Sequence, residues 1–214
     1  MVNNSKNYAI WFFKKGLAYQ TINEHEKEIA SKLSFIKSQE YAYSRGYARL
    51  ALSNLFNVEP LEVPIISLPG AQPILKKGWG YLSMSHCKDA LIIAWSVKRI
   101  GVDIERSDRN FSYKKICERF FTSKEKIIFN NLHDINQRRF VLNQWIMKES
   151  SFKWQKNKSP NDLFGWEWDI ISDICSHKKL KQNLKFSLIH HDKWSIGFST
   201  CFFKDNSTPL ICIQ

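Results

Sequence analysis

The sequence predicts an α+β fold made of two similar halves, residues 1–100 and 101–214. Three observations carry that prediction. The order strand, helices, strands occurs twice, with the boundary close to Gly101. The apolar content is 43%, including 8 Trp, 15 Phe and 7 Tyr, which supplies a bulky core and argues against disorder over most of the length. No Gly-rich fingerprint follows a strand and no P-loop is present, so a dinucleotide-binding or nucleotide-hydrolysing sheet is not indicated. Identity between the halves is too faint to mark a residue-level repeat, and the likeness lies in element order alone.

Each element has a local reason. Tyr8–Phe13 ("YAIWFF") is a strand because aromatic and β-branched residues crowd it ahead of Gly16. Ile29, Leu33 and Ile36 recur at helical spacing between Asn23 and Lys37, and Tyr43, Tyr47, Leu50 and Leu55 line a second helix over Gln39–Phe56. Pro60, Pro64, Pro69, Gly70 and Pro73 then impose an extended connection. "YLSMSH" and "ALIIAWSV" follow as strands, and Lys98–Arg99 predict a hairpin turn into "IGVDIE" at residues 100–105.

Past "RSDRN" the pattern is helical again, first around Tyr113–Phe120, next from "TSKEKIIF", then over about Asn136–Lys156, with Pro160 closing the last helix. "TSKE" satisfies the capping-box pattern, Thr122 as N-cap and Glu125 three residues on, so a structural role for Glu125 comes first. "LFGWEWDII", "KFSLI", "KWSIGFS" and a terminal "LICI" read as strands, with "HHD" at 190–192 as a hairpin turn.

Thirty-two Lys plus Arg against twenty Asp plus Glu give a formal charge of +12, which favours phosphates, nucleic acid or an acidic protein as partner. The rings fall within apolar periodic segments and the basic residues form no tail or Arg-rich helix, so nucleic acid is the weaker choice. Five widely spaced Cys without a C-x-x-C pair point neither to a disulfide framework nor to structural zinc. No apolar run suffices for a bilayer span or a convincing signal segment, and the expected location is the cytoplasm.

"GVDIE" at 101–105 is the chemical oddity of this basic chain. On a strand, Asp103 and Glu105 share a face while Val102 and Ile104 take the other. Same-face carboxylates repel unless they meet water, cations such as Arg106 or Lys98, or a divalent metal such as Mg²⁺, which takes two or three carboxylates together with water and substrate phosphate. A third acid stands in "QWIMKESSFKWQ", where Trp145, Lys148, Glu149, Phe152 and Lys153 share one broad helix side. Glu149 and Lys153 are also an ordinary surface pair by spacing, so pattern alone leaves both readings open.

"SMSH" (83–86), "GVDIE" (101–105), "RFFTSKE" (119–125) and "WIMKESSFK" (145–153) stand in the order and at the approximate separations of the 4'-phosphopantetheinyl transferases of the Sfp type, which the chain resembles over about residues 40–160. The resemblance implies a monomer of two similar α/β halves about a pseudo-twofold axis, with coenzyme A in the cleft between them. It implies transfer of the phosphopantetheine arm of coenzyme A to a serine of an acidic acyl or peptidyl carrier protein, in fatty-acid, polyketide or nonribosomal-peptide synthesis, with release of adenosine 3',5'-bisphosphate.

Carried over residue by residue, the resemblance makes Asp103, Glu105 and Glu149 the Mg²⁺ ligands. It makes Lys148 and Lys153 the cations at the pyrophosphate, and Glu149, or a water it orients, the acceptor of the serine proton. Ser85 and His86 become contacts to a coenzyme A phosphate, and Arg45 and Arg49, one turn apart, candidates for the 3'-phosphate. Arg138, Arg139, Lys148, Lys153, Lys156 and Lys158 around Glu149 would steer an acidic carrier. Two positions depart from the family pattern. "AQP" at 71–73 puts Gln72 where a Lys is usual, with Lys76 and Lys77 nearby, and Ser83 replaces an Asn. The Gln72 departure keeps alive an inactive paralogue that binds coenzyme A or carrier without transfer, and the charge keeps alive a basic nucleic-acid-binding module.

Overall fold

The computed structural model describes residues 7–66, 71–155, 159–201 and the backbone of 210–213. The fold is mixed α/β, and the chain forms two compact units. The first holds the described residues among Met1–Met84, Lys88–Lys98 and Ser207–Gln214, the second those among Ser85–Cys87 and Arg99–Asn206.

In the first unit, β1 (Tyr8–Lys14) is the expected strand. It pairs antiparallel with β5 (Ala90–Ser96), from Tyr8 opposite Ser96 to Lys14 opposite Ala90, and parallel with β11 (Leu210–Ile213). With β4 (Tyr81–His86) the sheet runs β11-β1-β5-β4. β1 and β5 are buried on both faces, which is why they read as unbroken apolar runs.

Two helices accompany this sheet. α1 (Glu24–Ser31) opens on a capping box in which Asn23 accepts from the Glu26 N–H and Glu26 accepts from the Asn23 N–H. α2 runs Phe35–Phe56, so the break falls at Lys32–Ser34, earlier than the periodicity suggests, and Phe35 and Ile36 begin the second helix as exposed residues. Tyr43 and Tyr47 of α2 pack with Trp11, Phe13, Leu91, Ile93 and Trp95, and their hydroxyls donate to the Lys14 and Ala18 carbonyls, each at 2.8 Å. The proline-rich connection is more regular than expected, since Pro60–Glu62 turns as a 3-10 helix and β2 (Ile65–Ile66) pairs with β3 (Ile74–Leu75).

The second unit is a five-stranded antiparallel sheet in the order β6-β10-β9-β8-β7. Its strands are β6 (Ile100–Arg106), β7 (Trp166–Asp169), β8 (Ile174–His177), β9 (Gln182–His191) and β10 (Trp194–Thr200). The expected β5–β6 hairpin is absent: β6 pairs with β10 and β5 with β1, so Lys98–Arg99 joins strands of different sheets. Local composition marks a strand but not its partner. The strand expected over 163–171 is shorter, because Pro160–Gly165 forms a 3-10 helix and Ile170–Ile171 lies in a turn. The β9–β10 turn falls at residues 192–193, so of the expected "HHD" turn His190 and His191 extend β9 and Asp192 alone turns, in the left-handed region that aspartate tolerates.

Three helices serve this sheet: α3 (Tyr113–Phe120), α4 (Ser123–Asn130) and α5 (Asp134–Trp154). The Thr122–Glu125 capping box is formed, the Thr122 N–H donating to Glu125 at 2.8 Å. α5 lays Leu142, Ile146 and Met147 on Trp166, Cys175, Leu184 and Phe186, while Trp145 meets Phe120 of α3 edge-on. Among the described residues no helix is long and apolar enough to cross a membrane.

Candidate functional site

The second unit gathers three of the sequence-marked residues, and Gly101 is the reason. A Cβ at position 101 would lie within van der Waals radii of the Ser150 carbonyl oxygen and 2.5 Å from the Trp154 amide nitrogen, so only glycine lets the α5 backbone rest on β6 here. Ser199, opposite Gly101 in the ladder, continues the close fit: its hydroxyl is 2.9 Å from those of both Ser150 and Ser151. The small residues of "GVDIE" and "KESSFK" therefore set the height of the helix above the strand. The next residue on that face, Asp103, then meets Lys153 of the same turn of α5.

At that point Asp103 is buried, and one carboxylate oxygen, Oδ1, receives both the Ser85 hydroxyl and the Lys153 ammonium at 2.7 Å each. Lys153 also donates to Ser85 Oγ at 2.8 Å, closing a triangle. The other oxygen, Oδ2, is buried with no hydrogen-bond partner. An unpaired carboxylate oxygen in a protein interior is costly, and a hard cation is a ligand that would relieve it.

Glu105, two residues on, is half-buried and ion-paired with Arg109. Burial pushes its carboxyl above the ordinary glutamate range and the negative charge of Asp103 adds to that, while Arg109 and Lys153 oppose it. Arg106 is engaged by Asp108, with Nε 2.6 Å from Oδ1. Arg109 is the participant that sequence reading missed, its one signal being the four-residue interval from Glu105.

Glu149 is half-buried one turn before Lys153 on α5, and His86 is exposed at the end of β4. Among the described residues no group of three or more His, Cys, Asp or Glu is close enough to hold a metal ion. Lys153 pairs with Asp103 and Arg109 with Glu105. The donor chemistry still suits a hard divalent cation: two carboxylates on one strand face, one with a buried oxygen unclaimed.

Three other expected phosphate contacts are committed elsewhere. Lys148 is fully buried, ion-paired with Glu125 at 2.9 Å and bonded to the Trp166 carbonyl, and burial holds its ammonium below the usual lysine range against the pull of Glu125. It joins the start of α4 to α5 and is not brought to Asp103. Arg49 is equally buried within the first unit. Its Nε meets Glu26 at 2.7 Å and its Nη1 donates to the Pro60 and Val63 carbonyls at 3.1 and 2.8 Å, tying α1, α2 and the following 3-10 turn together. Arg45, on α2 one turn before Arg49, is buried and stacked over the Tyr41 ring, with burial lowering its guanidinium from the usual value. The helix face proposed for the 3'-phosphate is therefore packed at Arg45 and Arg49.

Arg138 donates to the Arg109 carbonyl and stacks near Phe111, whereas Lys156 and Lys158 lie outside the described residues. Gln72 is half-buried and donates to the Leu82 carbonyl at 3.4 Å, with Lys76 and Lys77 exposed beyond it.

No curated protein matches the chain. The model of the 4'-phosphopantetheinyl transferase superfamily, designated ACPS, does match it, over residues 99–206. That stretch begins just before Gly101 and contains Asp103, Glu105, Lys148, Glu149 and Lys153. Because the match takes in half of the 214 residues, the chain belongs to the 4'-phosphopantetheinyl transferase superfamily, whose chemistry is phosphopantetheine transfer.

Proposed function

We propose that the protein is an Sfp-type enzyme that moves 4'-phosphopantetheine from coenzyme A to a serine of an apo acyl or peptidyl carrier protein with the help of Mg²⁺. The observation that carries this reading is the Asp103–Lys153 pair, with its unclaimed buried carboxylate oxygen, inside the stretch matched by the family, and the Ser85 hydroxyl that reaches it from outside that stretch. Asp103, Glu105 and Glu149 would hold the ion by being drawn together around it, since they do not stand as a ready three-residue group. When bound, it supplies charge neutralisation at the pyrophosphate and stabilises charge developing in the transition state.

The carrier serine Oγ forms a bond to the phosphorus bearing pantetheine, the bond from that phosphorus to the bridging oxygen breaks, and adenosine 3',5'-bisphosphate leaves. The serine proton passes to Glu149 or to a water that Glu149 orients. Lys153, whose side chain retains some exposure, offers positive charge to the departing oxygens. His86, exposed at a strand end, is suited to contact a phosphate of coenzyme A. With Lys148 and Arg49 committed to buried partners, His86 and Lys153 carry the phosphate contacts in this reading, and the basic surface draws an acidic carrier.

The test is incubation of several apo carrier proteins with coenzyme A, Mg²⁺ and the protein, followed by intact-mass measurement of the carrier. A phosphopantetheine adduct that Asp103→Ala and Glu149→Ala each reduce at least a hundredfold, in folded protein, is the expected result. Near-normal rates in both variants would remove the metal-site assignment. Carrier or coenzyme A binding without any adduct would leave the inactive paralogue to which Gln72 points.

A further inference from the structure

The Asp103 carboxylate already has a cation. We infer that Lys153 is the resident counter-ion of Asp103 and that a divalent cation must compete with it, so that metal entry releases the Lys153 ammonium toward substrate phosphate. This rests on the reading of Asp103 as a metal ligand.

Four observations converge on it. Asp103 is 5% exposed, so its charge needs a partner at all times. Oδ1 is claimed by Lys153 and Ser85 while Oδ2 is buried and unpartnered, so a second cation would have to share one carboxylate with an ammonium. Two cations on one carboxylate repel, and each lowers the hold on the other. Lys153 keeps 22% of its side chain exposed and ends a flexible four-carbon stem, so it has a route to water. Lys148, at 0% exposure and paired with Glu125, has none and cannot take its place. Ser85 completes the arrangement, since its hydroxyl donates to Oδ1 and accepts from Lys153, holding the ammonium on one side and leaving Oδ2 clear.

The experiment uses the full chain, stripped with chelator, and Mn²⁺ as probe without coenzyme A, the free ion being followed by electron paramagnetic resonance. Lys153→Met is expected to bind Mn²⁺ about tenfold more tightly than the parent, in line with the effect of removing one neighbouring charge, and Asp103→Asn to bind more weakly than either. Equal or weaker binding by Lys153→Met, with Asp103→Asn still harmful, overturns the competition but leaves Asp103 a ligand. Binding that no variant alters, or none at all, overturns both. A second measurement needs no variant. Acylation of Lys153, read by peptide mass spectrometry, should speed up severalfold on adding Mn²⁺ while exposed Lys76 stays constant, and an unchanged Lys153 rate at saturating Mn²⁺ refutes the displacement.

Discussion

Gly101→Ala isolates the contact on which the candidate site is built. The added Cβ meets the Ser150 carbonyl oxygen, the Trp154 nitrogen at 2.5 Å and the Ser150 carbonyl carbon at 3.0 Å, all of them helix backbone. A flexible side chain could swing away from a methyl group, but a helix backbone moves only as a body. Overpacking of this kind costs about 1–3 kcal/mol, and the unyielding obstacle favours the upper end. Replacing a strand glycine by alanine recovers about 0.5–1 kcal/mol of backbone entropy. The net loss is about 2 kcal/mol, or roughly 4–8 °C in the melting midpoint. Trp145, Trp154, Trp166, Trp168 and Trp194 lie in the second unit and Trp11, Trp79 and Trp95 in the first, so tryptophan fluorescence during heating or urea titration weights the second unit while reporting both. Gly16→Ala is the control, because Gly16 has φ +108° and nothing within 4 Å of a Cβ; its cost, about 1–2 kcal/mol, comes from backbone conformation alone and falls on the first unit. If Gly101→Ala melts with the parent, α5 does not rest on β6 as described and the placement of Lys153 against Asp103 loses its foundation.

Three further outcomes are expected. Arg49→Met strands the buried Glu26 carboxylate and should cost about 3–5 kcal/mol in denaturant titration; loss of coenzyme A affinity at unchanged stability would return Arg49 to a ligand role. Burial pushes the Cys175 thiol up to about 11, so peptide mapping after alkylation near neutral pH should find Cys175 unmodified in the native protein and modified after unfolding; rapid native labelling would show that the thiol is accessible. His190 is held below the ordinary histidine value by burial and by Arg139, so the folded form takes up a proton less readily than the unfolded chain. Stability should therefore fall as pH drops from the ordinary value of about 6.5 through the folded one, and His190→Gln should flatten that part of the melting-temperature profile; identical profiles would remove His190 as a contributor.

The features legible in the sequence are those set within a few residues. β1 is aromatic and β-branched, Tyr43 and Tyr47 mark the buried side of α2, and Thr122 with Glu125 writes a capping box that the structure forms. Alternation along "GVDIE" puts Asp103 and Glu105 on one face, and the order of motifs points to the 4'-phosphopantetheinyl transferase superfamily. Long-range pairing decided the rest. β6 joins β10, some ninety residues later in the chain, rather than β5 beside it, because strands choose partners by packing and not by proximity. Arg49 and Lys148 look like exposed helix cations, yet each is buried by an acid from another helix, Glu26 and Glu125, and a charge pattern on one helix carries no record of what will cover it. Gly101 shows both sides of this division. Its identity stands in the sequence, but its purpose, admitting the α5 backbone so that Lys153 reaches Asp103, exists only once strand and helix are packed together.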